Sequence, residues 1–294
     1  MNNRSGQALL TGTHGFFLER GECAVLLVHA IGGAPAQVRY VGHQLAHQGL
    51  TVLCPQLPGH GESINVLAKS QPAAWLLALG EALDYLATRY THVVVAGLSD
   101  GALLATLLAH QHPAKVRGLV LMSPLFTRDG VAAGSPATRW WQAMLRRSPV
   151  GRWFSWRIHH PYGIKDSHLR LQLLQAYRQA RPKMASKLGH AQLPTRAVLQ
   201  SQALAHEALA VLRHVQCPVL LAHAEQDDQA SAHNAQVVQA AVPPQCLDVL
   251  TLTNSHHLLT LDGERDLLVD RLVKFVQQVR KGACLPQAAP FIGL

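Results

Sequence analysis

Charged residues make up only 15% of this chain and aromatic residues only 5%. So low a charge content beside 48% hydrophobic residues excludes a disordered polymer, which needs high charge and little to bury. The chain also lacks any uninterrupted apolar run of about 18 residues, the length a membrane-spanning helix requires. Its first residues, Met1 to Gly6, are polar and offer no apolar core for a signal peptide. The sequence therefore reads as a soluble, cytoplasmic protein. There is no C-x-x-C spacing among the five cysteines, Cys23, Cys54, Cys217, Cys246 and Cys284. An odd number in apolar surroundings reads as free buried thiols in a reducing compartment. The eighteen histidines include no H-E-x-x-H, and the adjacent pairs His159-His160 and His256-His257 do not have the spacing that puts two ligands on one helix face. Neither a metal nor a cofactor is expected.

Acidic residues are scarce in one place. The net charge is +9, but from Arg128 to Arg196 there are thirteen lysines and arginines against two acids, Asp129 and Asp166. That segment carries +11 and the remainder −2. The basic character belongs to one stretch, and no nucleic-acid-binding motif accompanies it.

What the chain does have is alternation. Short β-rich runs at Ala24–Val28, Leu50–Cys54, His92–Ala96, Val116–Met122, Pro218–His223 and Asp248–Leu252 read as buried strands. Helical spacing lies between them: Val38, Val41 and Leu45; Leu76 to Leu86; Ala102 to Ala109; and a closing helix, Leu267 to Val279. This order predicts right-handed βαβ crossovers and a mostly parallel sheet. Ala8 to Glu19 predicts an antiparallel edge hairpin. The alternation stops between Phe126 and Leu212, a stretch too long for a loop and holding Trp140, Trp141, Trp153 and Trp156. The expected organisation is a core of 1–126 and 213–281, a helical cap inserted at 127–212, and a proline-containing tail at 282–294.

The chemistry begins at Gly97-Leu98-Ser99-Asp100-Gly101, a G-x-S-x-G between a strand and a helix. A sharp strand-to-helix turn strains the serine backbone and leaves no room for neighbouring side chains, hence the glycines. Ser99 Oγ then projects above the sheet at a helix N-terminus, where the dipole favours negative charge. The first strand ends in His29-Ala30-Ile31-Gly32-Gly33, beside this elbow. The Ile31 and Asp100 amides are the candidate oxyanion donors, and the His29 ring reads as a brace for the loop. An acid is available in the loop holding Glu225, Asp227 and Asp228, after the fifth strand. A base is available in Asn254-Ser255-His256-His257. The order serine, acid, histidine suits a nucleophile on an α/β sheet. Pattern alone leaves Asp227 against Asp228, and His256 against His257, open.

Four stretches together resemble the bacterial carboxylesterase and monoacylglycerol-lipase branch of the α/β-hydrolase superfamily. They are Val25 to Pro35, Pro55-Gln56-Leu57-Pro58-Gly59-His60-Gly61-Glu62-Ser63, the elbow, and Ser255 to Asp262, which matches an S-G-H-x-x-x-x-D pattern. The resemblance runs from about Phe16 to Val279 apart from the cap. It implies an α/β-hydrolase fold and a Ser99–His257–Asp227 triad, with His256 at a usual glycine. It also implies an acyl-enzyme route to cleavage of esters or thioesters. The sequence departs from the family at Ala30 and Ala102, usually glycines, and at Asp100, usually apolar. Asp100 either attracts a substrate ammonium or turns away to cap the helix.

The cap interleaves Trp and Arg at Arg139–Arg147 and Arg152–Arg157. Three readings stand: a helix burying Trp and exposing Arg, an interfacial surface for anionic lipid, or recognition of an anionic partner such as an acidic carrier protein or CoA. Trp140, Trp141 and Trp153 are the candidate substrate-contacting residues, favouring acyl-chain substrates. The alternatives to a simple esterase are an acyltransferase or thioesterase, an amino-acid ester hydrolase or aminopeptidase, and a non-catalytic binding protein.

Overall fold

The computed structural model describes residues 15–149, 151, 154–180 and 184–282. Residues 8–14 of the expected hairpin, Trp153 and Cys284 lie outside the described residues. Val, Leu and Ala dominate the runs that form β2 (Cys23–Val28), β3 (Thr51–Cys54), β4 (His92–Leu98) and β5 (Val116–Met122). Strands so apolar must be covered on both faces, and they lie at the centre of a parallel sheet. β1 (Phe16–Leu18) precedes them, an edge strand antiparallel to β3. Between the strands run α1 (Ala36–His47), α2 (Ile64–Lys69), α3 (Pro72–Ala87) and α4 (Asp100–Gln111). After β5 come α5 (Pro136–Arg147), β6 (Ser155–Arg157), α6 (Ser167–Gln179), β7 (Gln192–Pro194) and α7 (Thr195–Leu212). The chain then returns through β8 (Val219–Ala224), α8 (Ala232–Ala241), β9 (Leu247–Leu252) and α9 (Arg265–Lys281).

The seven-stranded sheet runs β1-β3-β2-β4-β5-β8-β9, parallel except for β1. Alternate residues of β2 feed opposite layers. Leu26 joins Leu79, Leu83, Leu104 and Leu108 from α3 and α4, whereas Val25 and Leu27 join Val38, Leu45, Leu272 and Phe275 from α1 and α9. All the expected strands are present, with ends shifted by a residue or two.

The 127–212 boundary differs at its far end. Leu204, Ala208 and Leu212 of α7 sit in the same buried cluster as Leu104 and Leu108 of α4. α7 therefore packs on the core helix α4, because its apolar stripe finds an apolar partner there. The part apart from that layer comprises α5, α6 and the small antiparallel β6–β7 pair. No helix of the described residues is long and apolar enough to cross a membrane.

Candidate active site

Three loops at the carboxyl ends of β4, β8 and β9 meet above the sheet. The first is the elbow. Ser99 holds φ 57° and ψ −122°, a strained backbone for a residue with a Cβ. The flanking glycines are dictated by contact. A Cβ on Gly97 would lie 2.1 Å from the Gly101 carbonyl oxygen, and one on Gly101 would lie 2.5 Å from that of Val28. The Ser99 amide donates to the Met122 carbonyl at 2.8 Å, which ties the turn to the neighbouring strand. Ala102, at a usual glycine, is accommodated fully buried in the core.

The second loop carries Asp227 and the third His257. The Ser99 hydroxyl donates to His257 Nε2 at 2.7 Å. His257 Nδ1–H donates to Asp227 at 2.8 and 3.0 Å, since a carboxylate can only accept. All three side chains are buried. Burial pushes the Asp227 carboxyl up, but the charge and hydrogen bond of the His257 ring outweigh it and hold it at about 2. Burial pushes His257 down, and the Asp227 charge and hydrogen bond overcome this and raise the ring above its ordinary 6.5. The geometry thus separates the two pairs that pattern left open. Asp227 meets the ring, while Asp228 accepts from the His257 backbone amide at 3.4 Å and from Gly163 at 3.0 Å. His256 does not reach Ser99; its amide donates to Asp262 at 2.8 Å.

Several supports hold these loops in place. The Asp262 carboxylate accepts from the amides of Lys165, Asp166, His256 and Gly263, at 2.7 to 3.0 Å. It clamps the segment before α6 onto the histidine loop. The Gly163 carbonyl accepts from Leu258 N–H at 2.7 Å in the same junction. Behind Asp227, His223 donates Nε2–H to the Ala230 carbonyl at 3.0 Å and Asp227 accepts from the Gln229 and Ala230 amides. Two of these carboxylates stand within the stretches singled out by sequence, but their acceptor role toward backbone amides leaves no residue pattern.

Ile31 is buried at the end of the loop after β2, and Asp100 opens α4. A first-turn amide has no intrahelical acceptor, so the Asp100 N–H is free of the helix ladder. The Asp100 side chain accepts a hydrogen bond from Ser201 Oγ of α7. Burial pushes its carboxyl up, with the Arg128 charge pulling the other way. The His29 ring is a brace: Nδ1–H donates to Ala30 O at 2.9 Å and Nε2 accepts from Leu57 N–H at 3.2 Å. Burial lowers it to about 4, so it is neutral, as that acceptor role requires.

The structure does not bring Trp140 or Trp141 to this cluster. Trp140 and Trp141 are 57% and 67% exposed on α5, with rings in edge contact at 5.1 Å. The bland reading of a helix that buries its tryptophans fails for this pair.

A mostly parallel sheet carrying a strained serine elbow, with a histidine and an acid from later loops, defines an α/β-hydrolase. The family model of the serine aminopeptidases S33 matches residues 20–264, and the chain belongs to that family. Among curated proteins, the chain is 25% identical over 267 residues to a thermostable monoacylglycerol lipase of Bacillus sp. (strain H-257), covering 91% of this chain and 95% of that one. It is 22% identical over 274 residues to a carboxylesterase of Bacillus subtilis (strain 168), covering 90% and 96%. Among solved structures, a soluble variant of Saccharomyces cerevisiae monoglyceride lipase superposes with a TM-score of 0.75 at 13% identity, covering 90% of this chain and 91% of that one. A chain from the metagenome-derived lipolytic enzymes LipS and LipT does so with 0.71 at 23% identity, covering 92% and 99%.

Proposed function

We propose that the protein is a serine hydrolase of carboxylic esters, with Ser99 as nucleophile, His257 as base and Asp227 as orienting acid. The observation that carries this reading is the hydrogen-bonded line from Ser99 Oγ through His257 to Asp227. The names of the two full-length relatives support esters over other acyl bonds.

In the reaction, Ser99 Oγ attacks the ester carbonyl while its proton passes to His257 Nε2. Asp227 stabilises the imidazolium that forms. The Ile31 and Asp100 amides donate to the tetrahedral oxyanion. Collapse expels the alcohol, which takes the proton from His257. Water, deprotonated by the same ring, then releases the acid. Transfer to another alcohol uses the same steps, and is distinguished by product analysis with mixed acceptors. The hydrogen bond of Asp100 to Ser201 argues against its holding a substrate ammonium, and so against a preference for amino-acid esters.

The test is hydrolysis of p-nitrophenyl esters from acetate to palmitate, with Ser99→Ala alongside. The variant is expected to lose at least about 10³-fold in kcat. Undiminished turnover in the variant would remove Ser99 as the nucleophile.

A second reading concerns the surface. Trp140, Met144 and Arg147 fall at i, i+4 and i+7 on α5, and all three are exposed. That face suits an anionic lipid surface better than an acidic carrier protein, because indole at its margin partitions to the headgroup region.

A further inference from the structure

A cavity of about 440 Å³ lies between α6, the end of β6 and the loop leading to β7. None of Ser99, Asp227 or His257 lines it. Its walls are part apolar, through Ile64, Leu174 and Met184, and part polar, through Tyr162 and Tyr177. Among the described residues, Arg157 and Arg178 are its charged lining residues, and no carboxylate lines it. Among the described residues neither guanidinium has an acid within ion-pair distance. Two unneutralised guanidiniums beside an apolar wall are suited to one class of ligand, an anion carried on an apolar body. The planar fork of each arginine matches a carboxylate or a phosphate.

The cavity adjoins the candidate active site through two strands of covalent and hydrogen-bonded structure. Tyr162 precedes Gly163, whose carbonyl accepts from Leu258 N–H, beside His257. A Cβ on Gly163 would lie 3.4 Å from that of His257. On the other wall, His190 N–H donates to the Gly32 carbonyl at 2.8 Å, one residue beyond Ile31. The cavity wall is thus joined by hydrogen bonds to the base loop and to the loop after β2.

We propose that this cavity binds an anionic group of an amphipathic ester, remote from the bond that is cleaved, and that Arg157 and Arg178 set a preference for such substrates. The proposal rests on the ester-hydrolase reading for its kinetic consequence, but binding tests it separately. Octanoate, octyl phosphate and the uncharged isostere octanamide are titrated calorimetrically into the Ser99→Ala protein, with and without Arg157→Met and Arg178→Met together. At least one anion is expected to bind tenfold or more tighter than octanamide, and the arginine substitutions are expected to abolish that difference. The tighter of the two anions identifies carboxylate or phosphate as the source. In turnover, the p-nitrophenyl monoester of suberic acid is compared with its methyl ester. A tenfold advantage in kcat/KM for the free acid is expected, lost in the double arginine variant, while p-nitrophenyl butyrate hydrolysis stays within twofold and reports an intact fold. Equal binding of anions and octanamide, or a preference that survives both substitutions, overturns the proposal. No turnover of any ester alongside arginine-dependent anion binding would overturn the hydrolase reading and leave the anion site standing.

Discussion

His257 is buried, and burial alone would make it a weak base by favouring the neutral ring. Asp227 reverses this, holding the ring above 6.5. The sign follows: the base must be neutral, so activity is full above the raised value and falls as pH drops through it. The acid limb of kcat/KM is therefore expected above pH 6.5. In Asp227→Asn the raising charge is gone, so the limb moves to lower pH while the plateau falls by about 10⁴ through loss of the correct tautomer. A pH–rate profile of both proteins checks this; a limb unmoved by the substitution would assign it to another group. The sequence made Ser99 legible because the elbow needs small neighbours whatever the chain. It left the aspartates and histidines ambiguous because adjacent residues in a loop differ only in where their side chains point. Asp228 and Asp262 illustrate the deeper limit: both bind backbone amides, which every residue but proline offers.

The elements around the site were legible to different degrees, for reasons of packing. A strand buried on both faces must be apolar throughout, so the central strands stand out as runs of Val, Leu and Ala. The short helices α2 and α8 escape such a reading, being too brief for a periodic stripe. α7 falls within the stretch expected as a helical insertion, because helical patterning does not say which neighbour an apolar stripe meets. The junction of β2 with α4 gives the sharpest prediction at this scale. A methyl on Gly101 would press on the carbonyls of both Val28 and His29, at 2.5 and 2.7 Å. Backbone cannot swing aside as a side-chain end can, so Gly101→Ala forces α4 away from the sheet. Thermal or urea unfolding is expected to show a loss of about 1–3 kcal/mol. Unchanged stability would mean that the elbow has slack the close contacts deny.

Across the whole molecule, charge and exposed apolar surface are concentrated in the same place. The segment from Arg128 to Arg196 carries the positive excess, while the rest of the chain is slightly negative. On α5 this coincides with Trp140, Trp141 and Met144, all more than half exposed. Scattered exposed apolar residues need no explanation, but an indole pair in edge contact on a cationic segment is a patch. Each half of the patch supplies a different free energy. Basic residues contribute roughly 1 kcal/mol apiece near an anionic leaflet, and salt screens that contribution. The indoles contribute through burial at the headgroup level, which salt does not weaken. The protein is therefore expected to co-sediment with phosphatidylserine-containing vesicles and not with pure phosphatidylcholine, with a blue shift in tryptophan emission. Raising salt should weaken binding, and Trp140→Ser with Trp141→Ser should abolish the blue shift at any salt, leaving hydrolysis of a soluble short-chain ester unchanged. Binding that responds to salt but not to these substitutions would make the surface a purely electrostatic one. Protein remaining in the supernatant with both vesicle types would overturn the lipid-surface reading and leave the tryptophans without a membrane role.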